Sequence, residues 1–216
     1  MKLLDELLEL MYPTRCAFCH KLSQNKEKVC RNCLGKLPYT SGAGQKQKFP
    51  FISGCVSQFY YEEDVRKSLL RYKFRGLTAY AQIYGEFLAK CIDENQISCD
   101  IITWIPLSRR RLRQRGYDQA RLLAEATARV LGVDCVPLLR KRRDNPAQSG
   151  TGSPEKRRAN VSGVYIPVNT AVFKGKSILL VDDIVTTGAT LSEGARTLIM
   201  AGAAEVYAAA VARSRQ

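Results

Sequence analysis

The 216-residue chain contains a single histidine and a single tryptophan, and no apolar run in it approaches the length needed to span a bilayer. The lone His20 leaves no Cys–His pairing of the kind nucleophilic catalysis uses. No secretory signal is visible in the opening residues either. The opening "MKLLDELLELMYP" is interrupted by Asp5, Glu6 and Glu9, so it has no apolar core of the leader type. Its apolar residues at 3, 4, 7, 8, 10 and 11 instead fit a short amphipathic helix that packs on the body or on a partner. No internal repeat is visible. These absences predict a cytoplasmic protein without a membrane span, holding one good-sized domain or one plus a small appendage.

Acidic residues are scarce against 34 Lys and Arg: 20 Asp and Glu leave a net charge of +14. The excess concentrates in 101–150, with eleven basic residues to four acidic, in "SRRRLRQRG" (108–116) and "RKRRD" (140–144). Clustered cations suit phosphate-bearing partners, small or polymeric, although a basic surface serving only solubility would give the same count.

Cysteine is not scarce. Eight in a chain that reads as cytoplasmic argue against a disulfide framework. Cys16-Ala-Phe-Cys19 and Cys30-Arg-Asn-Cys33 are two C-x2-C knuckles whose separation lets four thiolates surround one zinc. The stretch from 16 to 33 has too few apolar residues for a core, so metal must stabilise it; with four protein ligands the zinc is structural. Cys55, Cys91, Cys99 and Cys135 sit among apolar neighbours and read as small buried residues.

Beyond the knuckles, "YTSGAGQKQKFP" (39–50) reads as a linker. An extended segment (52–62) and two helices (64–76 and 78–94) follow. Then strands and helices alternate: a strand at 100–106, a helix at 117–132 closed by Gly132, a short strand at 134–139, the central strand at 177–183, a helix at 189–202 and a final strand at 204–212. Nearly continuous apolar strands separated by helices predict an α/β fold with a parallel sheet covered on both faces. Residues 1–40 would then form the short helix and the four-cysteine module, 41–50 the linker, and 51–216 the main domain. Residues 144–160, "DNPAQSGTGSPEKRRAN", make a long loop. With Arg142, Arg143, Arg157 and Arg158 it is either a lid over an anionic ligand or a solvated connection.

The stretch "ILLVDDIVTTGAT" (178–190) sets Asp182 and Asp183 at the end of the most apolar strand. Ligands of open parallel sheets bind beyond the strands' carboxyl ends. The helix starting near Gly188 or Ala189 offers unpaired N–H groups, Thr186, Thr187 and Thr190 add hydroxyls, and Gly188 admits a phosphate to the main chain. If the strand ends at 182, both carboxylates can turn to one ligand and accept from a vicinal diol. A ribose 5-phosphate fits. A P-loop reading of "GKS" (175–177) fails, because the earlier glycine position is Thr170 and the motif enters a strand. A response-regulator receiver would want its acid pair after the first strand. An acid pair that merely caps the next helix explains neither the threonines nor the glycine.

"ILLVDDIVTTGAT" closely resembles the phosphoribosyl-pyrophosphate (PRPP) signature of type I phosphoribosyltransferases. The chain as a whole resembles the ComF family through both Cys pairs, "LLRYKFRG" (69–76), "WIPLSRRRLRQRGYDQA" (104–120), Gln148 and "RRANVSG" (157–163). The resemblance implies a type I phosphoribosyltransferase-like domain behind a four-cysteine, zinc-ribbon-like module. Asp182 and Asp183 would hold the ribose hydroxyls, and Thr186, Thr187, Gly188, Ala189 and Thr190 the 5-phosphate. The turn from Pro106 through Ser108 and Arg109 would be the pyrophosphate loop, with charge from Arg109, Arg110, Arg113 and Arg115. The loop 144–160 would be the catalytic hood. Mg²⁺ would accompany PRPP, held mostly by the ligand's oxygens and waters.

Family association with natural transformation implies a role in DNA uptake, contact with single-stranded DNA and a competence helicase-type partner. Tyr72, Lys73, Phe74, Arg75 and Tyr117 mix aromatic and basic residues as single-strand binding does, or else are core aromatics beside solvated charges. No segment specifies an acceptor base or amine. The alternatives are therefore an active phosphoribosyltransferase in nucleotide or amine metabolism and a non-catalytic PRPP sensor with a zinc docking module.

Overall fold

A computed structural model describes residues 13–23, 26–40, 47–142 and 163–215. The expected first helix, Gln148, Arg143, Arg157, Arg158 and the segment 144–160 lie outside the described residues. The frame is a six-stranded sheet in the order β1-β2-β8-β7-β3-β4. Its strands are β1 (Gln47–Phe49), β2 (Ile52–Tyr60), β3 (Ile101–Trp104), β4 (Asp134–Cys135), β7 (Ser177–Val185) and β8 (Glu205–Arg213). All neighbours run parallel except the β1–β2 hairpin. A separate antiparallel pair, β5 (Leu139–Lys141) and β6 (Tyr165–Pro167), flanks the segment that is not described.

Helices form where the pattern and caps call for them. A short α1 (Arg31–Lys36) lies in the cysteine module, α2 (Glu63–Phe74) follows β2, and α3 (Tyr80–Glu94) follows α2. Next come α4 (Arg109–Arg115) and α5 (Gln119–Leu131), each with a side-chain N-cap and a left-handed glycine at its end. The Asp118 carboxylate accepts from the N–H groups of Ala120 and Arg121, and Gly116 and Gly132 close the two helices. A one-turn α6 (Thr170–Phe173) precedes β7, and α7 (Ala189–Met200) connects β7 to β8.

Side chains of β7 alternate between two cores, as a strand buried on both faces requires. Leu179 and Val181 face α2, α3, α5 and the cysteine module, together with Ala209 and Val211 of β8. Ile178 and Leu180 face α7, β5 and β6, together with Ala208 and Ala210. The fully buried alanines of β8 keep the sheet thin where helices approach from both sides. On the first face α3 and α5 meet almost backbone to backbone: a Cβ on Gly85 would lie 2.7 Å from Ala126 Cβ and 2.9 Å from Thr127 N.

Three expectations need correction. The segment read as a linker to residue 50 contributes β1 at its end, because Gln47 and Phe49 pair with β2. The strand expected over 134–139 is two short ones in different sheets, β4 and β5, with Pro137 between them lacking the N–H a ladder needs. The central strand does not stop at 182 or 183 but runs to Val185, since Ile184 and Val185 continue the ladder with β8. Among the described residues, no helix is long and apolar enough to cross a membrane.

Because Gly85 leaves no room for a methyl, Gly85→Ala should lower stability by about 1–3 kcal/mol. Urea unfolding would read this, and an unchanged midpoint would show that the two helices can separate without cost.

Candidate functional site

The loop after β7 meets the predicted requirements for an anion cradle. Gly188 takes the left-handed conformation (φ 71°) and leads into α7, leaving the first N–H groups of that helix directed at the loop. Any side chain at 188 would collide with the Phe49 ring, so glycine is needed here for space as well as for backbone angle. Thr186, Thr187, Gly188, Ala189 and Thr190 line one recess together with Asp182. The Thr187 hydroxyl lies 3.5 Å from Ala189 N.

The two acids part company. With the strand running on to 185, Asp182 shares the face of Ile178 and Leu180, and Asp183 the face of Leu179 and Val181. The expectation that both turn to one ligand is corrected to this extent: Asp182 lines the recess, and Asp183 faces α2. There Asp183, 4% exposed, pairs with Lys73, its Oδ1 lying 3.0 Å from Nζ. The second carboxylate oxygen, Oδ2, is buried with no hydrogen-bond partner. Burial and the neighbouring negative charge of Asp183 push Asp182 up to about 8, against the pull of Lys73.

Across from Asp182 stands the carboxyl end of β3, which pairs with β7 up to Trp104 and Val181. The turn after it is fixed by Asp118, whose Oδ2 accepts from Leu107 N at 3.0 Å. Ser108 is buried and its hydroxyl caps α4 by accepting from Arg111 N at 3.3 Å. The arginine run is thus a helix rather than a loop. Arg109 and Arg110 are exposed in its first turn, while Arg113 and Arg115 lie in its last turn. Arg115 turns away to Gln119 Oε1 (2.8 Å) and over the Phe74 ring (4.9 Å). Arg111, not singled out in the sequence, carries its charge toward Tyr165 instead. Burial above all, and Asp182 next, raise the Tyr165 hydroxyl, while Arg111 lowers it. Asp118 and Arg111 carried no motif signal beyond their place in the basic run.

The proposed DNA-contact residues separate likewise. Tyr72 is fully buried and its hydroxyl donates to the Gln119 carbonyl at 2.7 Å, so its ring has no face for a base. Lys73 is committed to Asp183. Tyr117 is half-buried and donates to the Tyr72 carbonyl. Arg75 is exposed, and so is Phe74, at 64%.

The four cysteines converge as their spacing predicts. The sulfurs of Cys16, Cys19, Cys30 and Cys33 lie within 4.8 Å of one another, and all four cysteines are free. Cys19 and Cys30 Sγ are 3.9 Å apart, against about 3.8 Å for the edge of a tetrahedron with zinc–sulfur bonds of ~2.3 Å. Burial pushes the Cys16 thiol up, but the backbone N–H groups of Cys30, Cys19 and Phe18 outweigh it and bring it to about 7. Burial pushes the Cys19 and Cys33 thiols up, so it is the convergence of four soft donors that suits zinc. The module shares the main core: Phe18 is fully buried, with its ring edge-on to Phe59 (5.5 Å), Tyr84 (6.1 Å) and Phe87 (6.0 Å). Cys55 and Cys91 are buried as expected, their thiols raised by burial to about 12 and about 11; Cys99 and Cys135 are half-buried.

Comparison with known proteins agrees with these two parts. A phosphoribosyl transferase domain model matches residues 118–216, and a double zinc ribbon domain model matches residues 7–44. Competence protein ComFC of Bacillus subtilis is 30% identical over 204 residues, covering 82% of this chain and 80% of its own length. Competence protein ComFC of Streptococcus pneumoniae is 28% identical over 204 residues, covering 94% of this chain and 82% of its own. The DNA utilization protein YhgH of Escherichia coli O157:H7 is 32% identical over 204 residues, covering 88% of this chain and 86% of its own.

Two measurements probe these centres. Metal analysis of the purified chain should find about one zinc per molecule, and Cys30→Ala should lose it; full retention by that variant would remove the four-thiolate centre. For Asp182, the folded-state value of about 8 lies above the ordinary 3.8. The native state therefore keeps a proton that the unfolded chain has released, and stability falls as pH rises between those values. Asp182→Asn relieves this, so its advantage in thermal midpoint should widen from about pH 5 to about pH 8.5. A gap that stays constant would contradict the burial of the carboxyl.

Proposed function

The chain belongs to the ComFC family of competence proteins, and on that premise we propose that it binds a ribose 5-phosphate, as PRPP with Mg²⁺, and serves DNA uptake. The observation that carries this reading is one recess lined by both a carboxylate and an anion cradle: Asp182 beside Thr186, Thr187, Gly188, Ala189 and Thr190. A lone phosphate would leave the acid without a partner, and a lone cation would not want the helix N-terminus. A sugar phosphate wants both, its hydroxyls bonding the Asp182 carboxyl group and its phosphate accepting from the amides.

The pyrophosphate of PRPP would lie toward the end of β3. Arg109 and Arg110 are exposed there and nothing in the described structure ties them elsewhere, while Ser108 serves by capping the helix that carries them. Mg²⁺ would supply charge neutralisation on the pyrophosphate, held chiefly by the ligand's own oxygens and by waters, with Asp182 the nearby hard oxygen donor. If the site turns over, a nitrogen nucleophile displaces pyrophosphate at ribose C1 through an oxocarbenium-like transition state, and the chain's share is alignment and charge.

Contact with single-stranded DNA draws on a different surface. Phe74 is exposed with the Arg115 guanidinium over one face, and Arg75 is exposed next to it. This pair suits a base stacked on the free face and a phosphate beside it. The names of the relatives, competence and DNA utilization proteins, support that role. A helicase-type partner of the competence machinery belongs to the same proposal.

Calorimetry with PRPP and Mg²⁺ should show binding by the native chain, and Asp182→Asn should weaken it about tenfold or more; equal affinities would refute the site. Pyrophosphate release should then be followed across a panel of bases and amines, where stimulation by one acceptor favours a transferase and none leaves the sensor or DNA reading ahead. For DNA, Phe74→Ala should lose about 1–3 kcal/mol on a single-stranded oligonucleotide at low salt. Tyr72→Phe should lose nothing through stacking.

A further inference from the structure

A second cavity, of about 390 Å³, opens at the carboxyl ends of β2 and β8, lined by Gln47, Tyr60, Arg213, Ser214 and Arg215. Its lining shares no residue with the recess beside Asp182. The two adjoin all the same. Val185 lines the recess and pairs with Arg213 in the ladder, and its carbonyl accepts from Ser214 N at 3.1 Å. A space of this size takes a small-molecule ligand or part of a longer chain.

Donors dominate the lining. Arg213 is only 9% exposed, and its Nη2 donates to the Tyr60 hydroxyl at 3.2 Å. A hydroxyl that accepts in this way keeps its own proton for another partner. Arg215 donates to the Glu62 carboxylate through Nε (2.5 Å) and Nη2 (3.2 Å). Ser214 adds a hydroxyl and Gln47 an amide. The oxygen of that amide is buried with no hydrogen-bond partner among the described residues, so its end able to meet a ligand is the NH2. No carboxylate is among the described lining residues. Glu62 offsets one arginine and leaves one net positive charge, and a guanidinium largely withdrawn from water attracts an anion more strongly than an exposed one.

Two ligand classes use a tyrosine among arginines: a base stacked on the ring, or an oxyanion held by the forks. The guanidinium carbons of Arg213 and Arg215 lie over the Tyr60 ring at 5.1 and 4.2 Å, so the ring already serves the cations and the base loses. Guanidinium forks match the oxygens of a phosphate group. We infer that this cavity is a second phosphate site, separate from the recess, and that it takes a phosphate group carried by a small phosphoester or by a nucleic-acid backbone. Arg213 supplies the charge, Tyr60 orients it and donates its own O–H, and Arg215 closes the outer side. The inference stands on this cavity alone and does not need the PRPP reading.

The test is calorimetry of the full chain at low salt with two probes, inorganic pyrophosphate and a single-stranded oligothymidylate. Arg213→Met should weaken binding of one or both about tenfold or more. Tyr60→Phe keeps the ring under the cations and removes only the hydroxyl, and should weaken it about threefold or more. Because the recess is a different site, the Arg213→Met loss should be as large in an Asp182→Asn background. A loss confined to pyrophosphate marks a small phosphoester as the ligand, and one confined to the oligonucleotide marks a backbone phosphate; either, or a loss on both, supports the site. Thermal midpoints accompany each variant; should Arg213→Met not fold, Arg215→Met and Tyr60→Phe carry the comparison. Folded cavity variants that bind both probes as tightly as the native chain overturn the inference. So does a native chain that binds neither probe, and so does a loss that disappears in the Asp182→Asn background.

Discussion

The alternation of side chains along β7 is the constraint on which the rest of the structure depends. From Ile178 to Val181 the strand is buried on both faces, so each successive residue is answered by a different core. Apolar residues up to Val181 satisfy this cheaply. At 182 and 183 the same rule delivers two carboxyls to two places, one into a recess and one against a lysine. A strand that ended sooner would release both to the solvent edge. The continuation through Ile184 and Val185, paired with β8, keeps them apart and makes two adjacent acids chemically unlike.

Much of this was legible in the amino-acid order, and the misses have physical reasons. Cysteine spacing reported the knuckles because metal geometry leaves few options. Long apolar runs reported β7, β8 and the helices between them, since burial on two faces leaves a continuous signature. The cradle was legible from Thr186 to Thr190 because a glycine before a helix start has few other uses. The end of β7 was misread because a pair of acids resembles a strand terminus, and only the ladder with β8 shows otherwise. The helix α4 was missed because a run of arginines has no apolar stripe, although Ser108 and Gly116 bracket it. The basic neighbours of Tyr72 leave it open between a DNA contact and a core aromatic, yet Val65, Leu69 and Tyr72 are spaced four and three apart and share the buried face. The Lys73–Asp183 pair spans more than a hundred residues, and no local pattern announces it.

The cysteine module is not an appendage in energetic terms. Phe18 sits in an aromatic cluster with Phe59, Tyr84 and Phe87, where each edge-on pair contributes about 0.5–1.5 kcal/mol beyond its area. Metal chemistry and hydrophobic packing therefore meet in the four residues from Cys16 to Cys19. The outer two carry sulfur for the metal, and the inner two are buried against the body and lend their carbonyls to α2.

The row of small residues in β8 has a consequence of another kind. Ala208 and Ala210 lie under α7, and Ala209 lies under the opposite layer, each fully buried. Their brevity sets how deeply the flanking helices settle onto the frame. Added bulk at 208 or 210 would raise one end of the scaffold like a shim beneath a hinge, tilting the amide-rich mouth of α7 away from its carboxylate neighbour. Divergence among related chains could thus retune a pocket through positions that no ligand ever meets.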